Sequence, residues 1–260
     1  MSGKKAGISV LWKEYLHISL LFVLCSVLLM TRGKAEEHFL EAFSEKEKQE
    51  KTVIVIDAGH GGDDPGKVGN ANSLEKEINL AIAKKTAELL EQDGYTVIMT
   101  RTEDCGLYPA DSKNRKRDDM KERVRIITEA APVLAVSIHQ NSFPASPCKG
   151  AQMFYYKDSI EGKKLAEILQ ETFPQIIKDN NTRKARANSE YYLLRKAPCP
   201  IVIAECGFLS TPEEEALLMT EEYRGKVAEA LRTGIRKYLE LSSEGRTENN
   251  GNKGSQNQQG

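Results

Sequence analysis

At 260 residues the chain is long enough for one full α/β domain, or two small ones, with a substantial core. Its 37 basic and 38 acidic residues leave a net charge of -1, which excludes a dominant nucleic-acid footprint while leaving room for a local basic patch. No nucleic-acid partner is therefore expected.

In chain order, Lys4, Lys5 and Lys13 precede an apolar run from Leu16 to Met30 (LHISLLFVLCSVLLM), and Arg32 and Lys34 follow it. A basic region before a hydrophobic one is the layout of an export signal over residues 1–34. The run is shorter than the ~20 residues of a membrane span. Ala35 in RGKAEE has no small residue two places before it, so a cleaved signal peptide and a retained signal anchor, which would tether the protein to a membrane, both fit. Leu24 before Cys25 is a poor match to a lipoprotein box. The polar stretch that follows, residues 35–50, reads as a charged linker, and the expected location is extracytoplasmic. Cys105, Cys148, Cys199 and Cys206 have no C-x-x-C spacing, which argues against a cysteine zinc site; they are expected to be unpaired structural thiols.

Val53 to Ile56 form a short apolar run suited to a strand covered on both faces. It ends in DAGHGG, a glycine turn with His60 in its middle. A helix is predicted from about Glu75 to Asp93, with Ile78, Ile82, Leu89 and Leu90 on one stripe and Gly94 as its stop. YTVIMT is a second strand, followed by the polar loop Arg101–Asp119 and a helix around Met120 to Ala130. VLAVSIH and GAQMFYY are the next strands, and a helix from about Ser159 to Ile177 comes after them. Beyond the polar stretch KDNNTRKARANSE come YYLLR and PIVIAECGF, then a last helix from about Glu221 to Leu241. From Ser242 onward the composition reads as a disordered polar tail, residues 242–260. The alternation predicts an α/β fold: a mostly parallel central sheet flanked by helices on both faces, in one catalytic domain over residues 51–241.

Ligands of open α/β sheets bind beyond the carboxyl ends of the strands. Three strands here end in groups that bind metal or move protons: IDAGH at His60, AVSIH at His139 and IVIAE at Glu205. Glu75 stands where the loop after the first strand enters a helix. Of the four histidines, His17 and His38 lie before the folded body, so only two remain for it. Two imidazoles and a carboxylate, with one position left for water, are the ligand set of a catalytic zinc, and Glu75 is the carboxylate able to reach back over the glycine turn. As an alternative, Glu75 would be an acidic first-turn residue stabilised by the helix dipole. Glu205 follows the apolar PIVIA, where a carboxylate is costly without a task or a partner; a local Lys or Arg could be that partner. With a zinc at His60, Glu75 and His139, Glu205 would serve as general base and acid in hydrolysis of an amide. No G-x-S-x-G is present, and GHGGDDPG lacks the endings of phosphate and dinucleotide loops.

IDAGHGGDDPG, LEKEINLAIA, SIHQN and AECGFLS, in that order, resemble the zinc-dependent N-acetylmuramoyl-L-alanine amidases of bacterial cell walls over about Thr52 to Leu239. The resemblance implies a mostly parallel sheet flanked by helices and cleavage of the bond between the lactyl group of muramic acid and the L-alanine of the stem peptide. It implies one Zn2+ per chain on His60, Glu75 and His139, with Glu205 as the catalytic glutamate. Asn79 and Asn141 also fall on motif positions, Asn79 as a structural residue and Asn141 as a contact either to substrate or to the residues that hold the metal. The run SEYYLLRKAPCPIVIAECGFLSTPEEE looks most like the germination-specific amidases of endospore formers, which strip stem peptides from spore-cortex peptidoglycan so that a deacetylase can help form muramic lactam. The substrate implied is a glycan strand with stem peptides. The chain departs from many relatives in the Arg101–Asp119 loop and carries no appended wall-binding repeat, which leaves open how it is held near glycan and whether an exported activating protein is needed. Arg183, Lys184 and Arg186 are available to an acidic glycan or form a solvated loop. Two alternatives stand beside the amidase: a catalytically silent peptidoglycan-binding protein on the same fold, and a zinc carboxypeptidase cutting within the stem peptide.

Overall fold

The computed structural model describes residues 52–143 and 148–256. The export segment and the charged linker lie outside the described residues. No described helix is long and apolar enough to cross a membrane.

Six strands form one sheet in the order β2-β1-β3-β6-β4-β5. They are β1 (Val53–Ala58), β2 (Thr96–Met99), β3 (Leu134–Asn141), β4 (Gln152–Tyr156), β5 (Arg186–Asn188) and β6 (Ile201–Phe208). The first three and β6 run parallel, whereas β4 pairs antiparallel with β6 and carries β5 parallel to itself. The sheet is thus mostly parallel, with two reversed strands at one edge.

Strand periodicity decides what covers each face. Ile54, Ile56 and Ala58 of β1, Leu134, Val136 and Ile138 of β3, and Val202, Ala204 and Cys206 of β6 point to one side and are buried. Three helices cover them: α1 (Glu75–Gln92) with Ile78, Ile82 and Leu90, α3 (Ile160–Ile177) with Leu165, Leu169 and Phe173, and α6 (Glu221–Gln256) with Val227, Leu231 and Ile235. The alternate residues Val55, Ala135, Ile201 and Ile203 face the other side under α2 (Arg115–Ala130), through Ile127, and the short α4 (Tyr192–Lys196), through Leu193 and Leu194. This second cover is thinner. The same stripes continue past it as Asp57 on β1, Ser137, His139 and Asn141 on β3, and Glu205 on β6, so polar chemistry begins where the apolar cover stops.

Local signals explain most helix ends. Asn114 accepts the Arg117 N–H at 3.1 Å and starts α2 at Arg115, earlier than Met120, because its first turn is polar and leaves no apolar period to read. Ser159 caps α3 by accepting from the Gly162 N–H at 3.0 Å. Gly94, at φ +91°, ends α1 in the left-handed region. Three features depart from the sequence pattern. YYLLR forms helix α4, Arg186–Asn188 adds an edge strand inside a polar stretch, and α5 (Pro212–Leu218) begins with proline at its first turn. The backbone of α6 stays helical to Gln256, beyond Leu241, where no proline intervenes and a packed helix has already met the cost of nucleation.

Candidate active site

His60 lies just past the C-terminal end of β1 and adopts φ +64°, a left-handed conformation that costs a non-glycine residue about 1–3 kcal/mol. Glycines flank it because the turn is crowded. A Cβ on Gly59 would lie 2.3 Å from the His139 ring, and one on Gly61 would lie 2.3 Å from the Cys105 carbonyl oxygen. The His60 ring meets Asp64 Oδ2 through Nδ1 at 2.8 Å and Glu75 Oε1 through Nε2 at 3.2 Å.

Glu75 opens α1, so its carboxylate sits at the positive end of the helix and over the glycine turn. Its Oε1 is 2.9 Å from His139 Nδ1 and accepts from the Gln140 N–H at 3.1 Å, while Oε2 accepts from the Lys67 N–H at 2.7 Å. Asn79, one helical turn further on, donates its amide to Glu75 Oε1 at 3.3 Å and to the Gly59 carbonyl at 3.2 Å. Burial alone would raise the Glu75 pKa, but the hydrogen bonds and charges of His139 and His60 hold it well below the ordinary carboxylate range. Burial likewise opposes a charge on His60, and Glu75 and Asp64 overcome it to raise its pKa. The two rings stand edge to face with centroids 4.9 Å apart. One ligand atom each from His60, Glu75 and His139 lie within 4.8 Å of one another, a mixed imidazole and carboxylate donor set able to hold a metal ion.

Glu205 is the register partner of His139 across β3 and β6. Its Oε2 is buried and has no hydrogen-bond partner among the described residues. Burial, reinforced by the charge of Glu75, raises its pKa to about 7, against a smaller downward pull from His139, His60 and Lys67. The salt-bridge alternative for this residue is not realised among the described residues. Asn141 lines the same cleft, with its side-chain oxygen accepting the Ser142 N–H at 2.8 Å.

The cleft, about 590 Å3, runs over His60, Glu75, His139 and Glu205. One wall is the Arg101–Asp119 loop with the start of α2: Asp104 accepts the Gly62 N–H at 2.9 Å and pairs with Lys76, and Tyr108 and Arg115 both engage Asp63. Tyr191 and Tyr192, at the start of α4, also line the cleft, with Tyr191 packed edge-on against Phe154. Burial, then the nearby Glu205 charge, raises the Tyr191 pKa. Arg183, Lys184 and Arg186 do not line this cleft; Arg183 and Arg186 lie over the rings of Phe208 and Phe154.

A family profile described as N-acetylmuramoyl-L-alanine amidase matches residues 54–237. The chain belongs to this family. A germination-specific N-acetylmuramoyl-L-alanine amidase of Bacillus subtilis is 38% identical over 190 residues, spanning 72% of this chain and 79% of the relative. Among solved structures, the CwlD amidase from Clostridioides difficile in complex with the GerS lipoprotein superposes with a TM-score of 0.71 at 39% identity, covering 74% of this chain and 100% of that one. The catalytic domain of the CwlV amidase from Bacillus (Paenibacillus) polymyxa var. colistinus gives 0.64 at 32% identity, covering 73% and 98%.

Sequence reasoning missed three members of this amidase site. Asp57, Arg123 and Arg101 form a buried charged floor beneath His60. Asp57 accepts from Thr100 at 2.7 Å and from Ser137 and Arg123 at 2.5 Å each. Burial would raise its pKa, but the Arg123 guanidinium and the two hydroxyls lower it to about 2. The available signal was an aspartate inside an apolar strand, which requires a buried cation partner.

Proposed function

We propose that this amidase hydrolyses the bond between the lactyl group of N-acetylmuramic acid and the L-alanine of the stem peptide, with Glu205 as its general base and acid. The observation that carries the reading is Glu205 itself: a carboxylate inside β6 with a buried oxygen that has no hydrogen-bond partner among the described residues, in register with His139 and beside the His60–Glu75–His139 donor set. A single Zn2+ is the metal proposed for that set; when bound it polarises the scissile carbonyl and lowers the pKa of attacking water to roughly 7. Glu205 takes a proton from the water and delivers it to the departing L-alanine amine. Asn141, Tyr191 and Tyr192 are the proposed substrate contacts, in an open cleft suited to a polymer.

The B. subtilis relative is named germination-specific, which supports a role in germination; action on spore-cortex peptidoglycan, with stem-peptide removal preceding muramic lactam formation, is the form proposed for this chain. Residues 1–34 are proposed as the signal peptide or anchor, residues 35–50 as a linker and residues 51–241 as the catalytic domain outside the cytoplasm; the disorder expected from Ser242 onward does not hold for the backbone as far as Gln256, which is helical. An exported activating protein is proposed because the C. difficile amidase was solved with a lipoprotein.

Digestion of purified peptidoglycan with the zinc-loaded chain, read by mass spectrometry, tests the bond assignment. Free stem peptides beginning in L-alanine are expected. Release of terminal D-alanine from otherwise intact stems would instead make the protein a carboxypeptidase.

A further inference from the structure

The turn that carries His60 sets two requirements against each other. Its backbone asks for glycine, as Gly61 and Gly62 supply, yet metal chemistry requires an imidazole at a left-handed position. Three consecutive carbonyls, those of Ala58, Gly59 and His60, accept from a pair of buried guanidinium groups. Arg123, 2% exposed, comes from α2 and donates Nη1 to the Ala58 oxygen and Nη2 to the His60 oxygen, each at 2.8 Å. Arg101, 3% exposed, follows β2 and donates Nε to the Ala58 oxygen at 2.9 Å and Nη2 to the Gly59 oxygen at 3.1 Å. A further Nη2 contact, 2.8 Å to the Lys76 carbonyl, joins the turn to the first turn of α1, where Glu75 sits. Asp57 and Asp119 balance the Arg123 charge.

We infer that Arg123 and Arg101 are positioning residues that clamp the His60 turn, holding its imidazole towards Glu75 and His139 before any metal binds. The inference rests on the metal reading of those three residues. The two planar forks supply directed N–H groups to all three carbonyls of the curve, with Asn79 adding a second to the Gly59 oxygen. A lysine supplies charge without that geometry. Substituting Arg123 or Arg101 with lysine therefore loosens the His60 turn while leaving the buried carboxylates a cation.

The test is zinc affinity, measured by competition with a chromogenic chelator, for full-length wild type, Arg123→Lys, Arg101→Lys, His60→Ala and Leu169→Ala. Leu169 is buried on the opposite face of the sheet, so its variant is destabilised without touching the turn. Partners that orient metal ligands typically contribute 10–100-fold in affinity. Both arginine variants are expected to bind zinc 10–100-fold more weakly than wild type, and Leu169→Ala to bind as wild type does. Cobalt(II) at saturation supplies a second readout: its visible band, which reports coordination geometry, changes in the arginine variants and not in Leu169→Ala.

Affinity within about twofold of wild type in both arginine variants, with His60→Ala impaired, would overturn the clamp and leave the metal site standing. Undiminished affinity in His60→Ala would remove the metal reading, and the clamp with it. Should Arg123→Lys fail to fold, Arg101→Lys decides by the same two readouts.

Discussion

Glu205 stands in β6 after five apolar residues, and its buried oxygen has no hydrogen-bond partner among the described residues, so at neutral pH the fold holds a carboxylate that burial disfavours. With its pKa raised to about 7 from an unfolded value near 4.5, the group withdraws stability as pH rises through that interval, because the folded state retains the proton longer. The withdrawal reaches up to about 3 kcal/mol above pH 7. In metal-free protein, Glu205→Gln should therefore match wild type at about pH 4 and exceed it progressively to a plateau above about pH 7, as read by urea unfolding; a gap that does not vary with pH would contradict this. Asp57 has the opposite sign. Its pKa, lowered to about 2, contributes about 2 kcal/mol that is fully present above about pH 4 and lost as pH falls towards 2. The deficit of Asp57→Asn in the same assay should accordingly be greatest at neutral pH and shrink in acid. Both carboxylates stand in apolar strands. For Glu205 the sequence showed this clearly, whereas the partner of Asp57 is Arg123, 66 residues away, a distance that a single sequence does not bridge.

At the scale of elements, the site depends on how closely β1 and β3 approach at their carboxyl ends. A Cβ on Gly59 would intrude 2.3 Å from His139 ring atoms. Gly59→Ala should displace that ring and lower amidase turnover on the order of 10²-fold, with about 1–3 kcal/mol of lost stability. Gly225, inside α6 with nothing within 4 Å of its added Cβ, is the control: Gly225→Ala should raise stability by about 1 kcal/mol and leave turnover unchanged. The apolar runs of β1, β3 and β6 and the stripe of α1 were legible because burial writes a period into the sequence. Helix α5, the start of α2 and strand β5 were not. Their residues are polar or capped, and what holds them is tertiary, as when Glu214 accepts the Gly150 and Phe208 N–H groups and Glu215 accepts the Ala71 N–H.

For the whole molecule, taken over its described residues, one sheet face is sealed by three helices and the other is left partly open, which sets the cleft at the edge where Glu205 and the three metal-binding candidates meet. The α/β class and the four central residues could be read in advance because parallel strands bring their carboxyl ends together. The two walls of the cleft could not, since they come from the Arg101–Asp119 loop and the short α4. The extension of α6 past Ser243 adds no apolar stripe, so removing residues 244–260 should change unfolding free energy by no more than about 0.5 kcal/mol. The most direct test of the account compares wild type with Glu205→Gln in zinc affinity and in release of L-alanine-terminated stem peptides from purified peptidoglycan. The account predicts release by wild type, no detectable release by the variant and equal zinc affinity in both. Stem-peptide release by Glu205→Gln at the wild-type rate would contradict it.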